Sequence, residues 1–439
     1  MRRYIVIGTG VAGFAAAESI RGIDPAGTIL MIGNEQEGFY SRPGLAYYLT
    51  GELAEKQLFP FSKQDFKQLD VNLLHAKVIQ ISPMAHELYL QNGDQIHYDR
   101  LLIANGASAT MMNIPGSGAQ GVVKLDNLTD ARLILKLTRK LKSAVVVGGG
   151  ITALEIAEGL VARGLKVHLF IRSAHYWRNV LTEHEARIIE AHLAEEGVQI
   201  HCSTQLSEIL TQNNHVVGVR TQANQQIKCE LLAMAIGIRP RTALANASGL
   251  KIDRGLLTNE YLETSGADIF AAGDVAQVFD PLTGTSNLQS LWSPARRQGE
   301  VAGFNMAGQR SPYIRTIHVN VTRLANRPTT IIGSVGSERD HDSPEITRGE
   351  SETWRQQVDA VSIQSDDGEN HVRVMVGPQT LLGAVVIGDQ AISRPLQELI
   401  TRQVCITPIR AKLLAPGTPI TDLINSLWYL NRNNPPHGS

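Results

Sequence analysis

The sequence predicts an α/β protein with two doubly wound units on parallel sheets and a smaller α+β unit after them. Three observations carry this. A β-branched strand runs through a glycine-punctuated turn into a small-residue helix at Tyr4–Glu18; the pattern returns at Ala144–Glu158; and from Tyr313 short β-branched runs alternate with turn residues before a helical C-terminus. Strand–turn–helix units build parallel sheets, because a parallel neighbour needs a crossover connection. The 439 residues exceed what one core usually holds, so several domains are expected.

Charge and composition remove several classes. With 41 Lys plus Arg against 42 Asp plus Glu, the formal charge is −1, and no basic surplus exists for a nucleic-acid backbone. No apolar run reaches the 18 or so residues of a membrane span, so no transmembrane segment is expected. Arg2 and Arg3 before an apolar stretch look like a leader, but the glycines that interrupt the run point elsewhere. Cys202, Cys229 and Cys405 lie far apart without a C-x-x-C pair, so neither a disulfide framework nor a metal site is expected. A reduced, cytoplasmic compartment is the simplest fit.

Each glycine turn has a mechanical reading. Gly8, Gly10 and Gly13 form G-x-G-x-x-G: the first permits the turn, the second lets a pyrophosphate approach, and the third lets helix and strand pack closely. The amides that open the helix, at Val11 and Ala12, are then offered to phosphate. The next strand, Thr28–Gly33, ends just before Glu35, placed to accept hydrogen bonds from a ribose diol. At the second turn Gly148 and Gly150 keep the pattern, Ala153 takes the third place, and Ile151 opens the helix. Its following strand ends in Arg172, with Arg178 six residues on, which suits a 2′-phosphate and NADPH rather than NADH. Two Rossmann-like dinucleotide-binding domains, one with an acid and one with arginines, imply two nucleotides, and FAD and NADPH fit best.

At this point the chain resembles the two-dinucleotide-binding-domain flavoproteins. This family of FAD-dependent pyridine nucleotide oxidoreductases includes glutathione reductase, rubredoxin and ferredoxin reductases, and the FAD module of large-subunit nitrite reductases. The motifs stand in the family's order: FYSRPGL at Phe39–Leu45, YDRLLIANGA at Tyr98–Ala107 with Asn105 where threonine is usual, AMAIGIRP at Ala233–Pro240, IFAAGDVA at Ile269–Ala276, and the helix segment LWSPARRQGEVAGFNMAG from Leu291. The resemblance implies an FAD-binding domain at 1–112 and 242–310, an NAD(P)H-binding domain at 113–241, and an interface domain at 311–439. It implies that Arg42 lies beside the flavin, that the backbone at Val78 meets adenine, and that Ala104, Gly106 and Gly237 form the crossovers. Asp274 would bond the ribityl chain, and Trp292, Ala295, Gln298 and Gly299 would lie near the isoalloxazine. Glu155 would act at the flavin–nicotinamide junction. The family's lysine partner for it is missing, so either Arg42 pairs with Glu155 or the carboxylate faces the nicotinamide alone.

In disulfide reductases the electrons leave through cysteines beside the flavin, and YSRPGLAYYLTG holds none. The resemblance therefore favours direct transfer to a small rubredoxin- or ferredoxin-like acceptor. A quinone is the alternative, weakened by Ser293-Pro294 where quinone reductases carry Ala-Gln; a non-catalytic flavin redox sensor or docking subunit is the other. Strand-like runs at Lys67–Ile103 suggest a β-meander, with a turn at Asn92-Gly93, and Asn213-Asn214 suggests a hairpin tip. The charge-rich stretch 337–354 reads as a loop or exposed hairpin, which would bind a partner if the chain is a subunit of a larger complex. The stripe Leu423, Ile424, Leu427 and Leu430 reads as core packing or a contact with a second copy, and the closing NNPPHGS as a disordered tail.

Overall fold

The strand at each glycine turn becomes the centre of a parallel sheet. In this computed structural model, which describes residues 1–432 apart from 282, 337–345, 347, 350 and 369, Arg3–Ile7 lies between Thr28–Gly33 and Arg100–Ile103. Val71–His75 and Ile269–Ala271 form the edges, all parallel. Tyr4 to Ile7 and Leu101 to Ile103 are buried residue after residue, as strands covered on both faces require. The sheet thus takes its last strand from far down the chain.

The second sheet, drawn wholly from the middle of the chain, centres on Ser143–Val147. Lys166–Phe170 and Leu231–Met234 flank it, Val198–His201 and Val122–Val123 lie outside them, and all pairs are parallel. The hairpin Leu206–Gln212 with His215–Thr221 turns at Asn213 and Asn214, whose φ values of 51° and 62° are those a tight hairpin tip demands.

The Lys67–Ile103 stretch divides where a single meander was expected. Only Val78–Ser82, Glu87–Leu90 and Gln95–His97 form the antiparallel trio, while Val71–His75 and Arg100–Ile103 enter the parallel sheet. Leu101, Leu102 and Ile103 form an unbroken apolar run that the one-sided meander could not bury.

The third sheet is antiparallel, in the order Val319–Leu324, Arg327–Gly333, Leu381–Ile387, His371–Val376, Val361–Asp366. Helices Ser393–Thr401, Thr407–Leu413 and Ile420–Asn431 share a core with it. Of the predicted stripe, Leu423, Ile424 and Leu427 join that core, whereas Leu430 is 77% exposed. Residues 433–439 and much of 337–354 lie outside the described residues. Among the described residues no helix is long and apolar enough to cross a membrane.

Helix Val11–Ile23 packs against helix Trp292–Ala307 through glycines. A Cβ on Gly299 would fall 2.1 Å from the Ala12 carbonyl oxygen, and one on Gly303 2.5 Å from that of Ala16. This close approach fixes the first turn of the N-terminal helix against a backbone that cannot yield.

Candidate active site

A cavity of about 1870 Å³ opens where the two glycine-turn helices converge. At its head, Gly8 adopts φ +120° and a Cβ there would lie 2.2 Å from the Ala104 carbonyl oxygen, so only glycine permits the turn. Gly10 is different: a Cβ on it would meet nothing within 4 Å, which leaves an open cradle beside the helix. Gly13 serves packing, since its Cβ would strike the Gly8 carbonyl at 2.2 Å. No side chain caps the helix, so its first-turn amides lack partners, and Val11 and Ala12 line the cavity. An uncapped helix start over an open glycine fits a pyrophosphate.

Glu35 reaches the same cavity but is engaged there. Its Oε1 accepts from Arg42 Nη2 at 2.5 Å and its Oε2 from the Tyr40 hydroxyl at 2.7 Å. Arg42 also donates through Nη1 to the Asp126 carbonyl at 2.6 Å. Arg42 therefore neutralises Glu35, and among the described residues no ion pair joins it to Glu155. The charge facing Glu155 is Arg348: burial pushes the Glu155 carboxyl up to about 7, and the Arg348 guanidinium opposes the shift.

Arg348 also lies 4.0 Å from Asp274, with its Nε buried and without a hydrogen-bond partner. Burial raises the Asp274 carboxyl, against the pull of Arg348, Arg42 and Arg241. His318 lines the cavity too; burial and Arg315 push it down to about 4, and as a neutral ring it accepts from Gln289 Nε2 at 2.5 Å. Neither Arg348 nor His318 stood out in the sequence. Both come from beyond residue 310, where the motifs have ended.

Asn105, in the place of the usual threonine, stitches the two crossovers together. Its Nδ2 donates to the Arg241 carbonyl at 3.0 Å, and Arg241 returns a bond from Nη1 to the Asn105 carbonyl at 3.0 Å. The crossover strands Ala107–Ala109 and Ile238–Pro240 pair antiparallel alongside. Ala104, Gly106 and Val78 line the cavity; Gly237, at φ +121°, holds its turn without lining it.

The other expected residues separate into two groups. Ile151, Glu155, Asp274, Trp292 and Ala295 line the cavity. Gln298 and Gly299 do not: Gln298 Oε1 accepts from the Gly273 amide at 2.8 Å, and Gly299 meets Ala12, so both hold the cavity's floor rather than its contents. Gly148, at φ +152°, and Gly150, which opens the second helix without a side-chain cap, lie behind the wall. Arg172 and Arg178 are exposed and outside the cavity. None of the three cysteines lines it.

A parallel-sheet pair with two uncapped glycine-turn helices at one cavity defines a dinucleotide-dependent oxidoreductase. The chain belongs to the pyridine nucleotide-disulphide oxidoreductase family, whose model matches residues 2–299. It is an FAD-dependent NAD(P)H oxidoreductase. It is 30% identical over 335 residues to an NADH oxidase of Methanocaldococcus jannaschii, covering 74% of each chain. It is 31% identical over 318 residues to the ferredoxin–NAD(+) reductase component of the 3-phenylpropionate/cinnamic acid dioxygenase of Photorhabdus laumondii, covering 70% of this chain and 78% of that one. Its fold matches the solved covalent putidaredoxin reductase–putidaredoxin complex with a TM-score of 0.84 at 21% identity, over 97% of this chain and 99% of that one.

Proposed function

We propose that this chain takes hydride from NADPH and passes electrons to a small rubredoxin- or ferredoxin-like protein, without a thiol relay. The observation that carries the reading is the convergence of both glycine-turn helices on one cavity whose wall holds Glu155 and no cysteine. FAD, when bound, supplies the hydride acceptor and one-electron exit that no side chain offers.

The chain's own residues bind, orient and exclude water. The Gly8–Ala12 turn holds the pyrophosphate, Glu35 and Val78 the adenosine end, and Asp274 the ribityl chain. Arg42 keeps the Glu35 carboxylate neutralised beside the phosphates. Trp292 and Ala295, with the crossover residues Ala104 and Gly106, close over the ring system. Glu155 accepts from the nicotinamide carboxamide once ionised, which fixes the ring's face. Gly148, Gly150, Ile151 and Gly237 shape the nicotinamide nucleotide's bed, and Arg172 and Arg178 select the 2′-phosphate.

In this reading residues 1–112 and 242–310 hold FAD, 113–241 hold NADPH, and 311–439 cover the cavity and meet partners, including a second copy. The unpaired cysteines suit a reducing, cytoplasmic setting. The ferredoxin reductase relative and the putidaredoxin complex support the protein acceptor.

The test is anaerobic stopped-flow of the FAD-loaded protein with NADPH and, separately, NADH, followed by reduction of a rubredoxin or a [2Fe–2S] ferredoxin. Fast bleaching by NADPH and onward reduction of either protein support the reading. Bleaching without transfer to either, but with fast quinone reduction, replaces the acceptor. No bleaching by either nucleotide leaves only a sensor or docking role.

A further inference from the structure

Away from the cavity, helix Glu183–Glu195 meets the hairpin of Val361–Asp366 and His371–Val376 at a cluster of three side chains, His184, Asp366 and His371. Their ligand atoms all lie within 4.8 Å of one another. Asp366 Oδ2 is 2.6 Å from His184 Nε2 and 3.3 Å from His371 Nδ1. Two imidazoles and a carboxylate suit zinc-like divalent ions, whereas magnesium and calcium prefer oxygen alone.

Behind His371 lies a buried carboxylate, Glu185. This ring is 1% exposed, and its Nε2 faces Glu185 Oε1 at 3.2 Å. Glu185, with no exposed surface, is anchored by Arg373 Nε at 2.8 Å. A proton on Nε2, donated to Glu185, leaves the Nδ1 lone pair aimed at the Asp366 carboxylate. Without an ion a second proton, on Nδ1, donates across that 3.3 Å to Asp366, and a metal ion bound between them takes that proton's place. Outer carboxylates that fix a histidine's tautomer in this way are the usual support of a metal-ligating imidazole.

We propose that His184, Asp366 and His371 bind one divalent transition-metal ion, with zinc as the foremost candidate, and that the ion ties the second parallel unit to the C-terminal sheet. A tetrahedral site with bonds of about 2.1 Å has edges of about 3.4 Å. The His371–Asp366 separation already matches, and His184, 52% exposed at its side chain, needs to retreat by only roughly 1 Å. Water completes the open side. None of the three residues lines the cavity, so this site is separate from the flavin chemistry. The sequence offered no spacing for it because His184 and Asp366 stand 182 positions apart.

The test uses the FAD-loaded full chain carrying Cys405→Ala, which removes an exposed thiol as a competing ligand. The protein is equilibrated with zinc ions in a weak chelator buffer, and bound zinc is measured by atomic absorption alongside the thermal unfolding midpoint. Stoichiometric zinc with a raised midpoint, and affinity weakened by about tenfold or more in His184→Ala and in Asp366→Asn, supports the site. His184 is exposed enough for its variant to fold, which circular dichroism checks. No bound zinc, or zinc held equally by parent and both variants, overturns the proposal and leaves the cluster as an ion pair between the two units.

Discussion

Arg42 Nη2 and Glu35 Oε1 lie 2.5 Å apart, so a residue expected to serve the flavin and one expected to serve its ribose form one ion pair. The pair is only part-buried, at 30% and 19% side-chain exposure, and Tyr40 and Asp126 hold its two ends. It keeps an extra negative charge away from the position proposed for the pyrophosphate.

Removing that neutralisation therefore acts on flavin affinity. Arg42→Ala is expected to weaken FAD binding by about tenfold to a hundredfold, the value of a charge-assisted hydrogen bond of about 1.5–3 kcal/mol. Arg42→Lys recovers part of the loss. Fluorescence titration of the apoprotein with FAD measures both, and an unchanged constant in Arg42→Ala removes the role.

In the proposed reading, Glu155 sets the pH dependence of flavin reduction. Burial raises its carboxyl to about 7, so flavin reduction by NADPH is expected to quicken as pH rises through about 7 and ionises the group. Glu155→Gln is slow and flat across that range, and Glu155→Ala slows hydride transfer more than it weakens FAD binding. The same shift has a sign for stability. The folded apoprotein keeps this proton above the ordinary 4.5, so the Glu155 contribution to stability falls as pH rises from about 4.5 to about 7, against an opposite contribution from His318, and Glu155→Gln removes that part of the slope. Rapid-mixing rates and unfolding midpoints taken over pH check the two halves independently.

In the proposed reading, donor choice rests on two exposed arginines, Arg172 and Arg178. Arg172→Ala combined with Arg178→Ala is expected to raise the apparent NADPH constant at least about tenfold, about 1.4 kcal/mol, and to leave NADH unaffected. An equal rise for both nucleotides would show a role in folding rather than in selection.

Gly299→Ala tests the helix contact. Its Cβ would press on the Ala12 carbonyl at 2.1 Å, and backbone there cannot move without shifting the cavity's first turn. A destabilisation of about 1–3 kcal/mol with loss of bound flavin is expected, although the residue touches no ligand. Flavin content and thermal unfolding of the purified variant measure it.

Replacing Cys202, Cys229 and Cys405 together by alanine is expected to leave ferricyanide turnover unchanged, because none lines the cavity. A large loss would restore a thiol route.

Much of this was legible where local pattern and backbone demand coincide. Gly8 and Gly13 announce a turn whose packing admits no side chain, Gly10 leaves its cradle open, and the strand they follow is an unbroken apolar run. The residue types of Glu35, Arg42 and Glu155 were legible, but their pairing was not. A sequence names charges, whereas the separation that decides which charge meets which is a property of the assembled walls. Arg348 was hidden for a related reason, since in a charge-rich stretch nothing marks one arginine as the counter-charge to two carboxylates. Gln298 and Gly299 were placed near the flavin by family order, and only the Gly273 amide bond of the one and the helix contact of the other reveal that they brace the scaffold.

The first sheet's last strand, Ile269–Ala271, pairs with Arg100–Ile103 across the whole middle of the chain. During synthesis at about 5–20 residues per second, the intervening segment of about 165 residues takes roughly 10–30 s to emerge. By the end of that interval the second sheet has all its strands, Leu231–Met234 being its last, while the first still presents the open edge of Arg100–Ile103, and the helix that clamps Ala12 does not yet exist. A nascent chain of this design thus acquires its middle before its beginning is closed, and the cavity is among the last parts of the molecule to be completed.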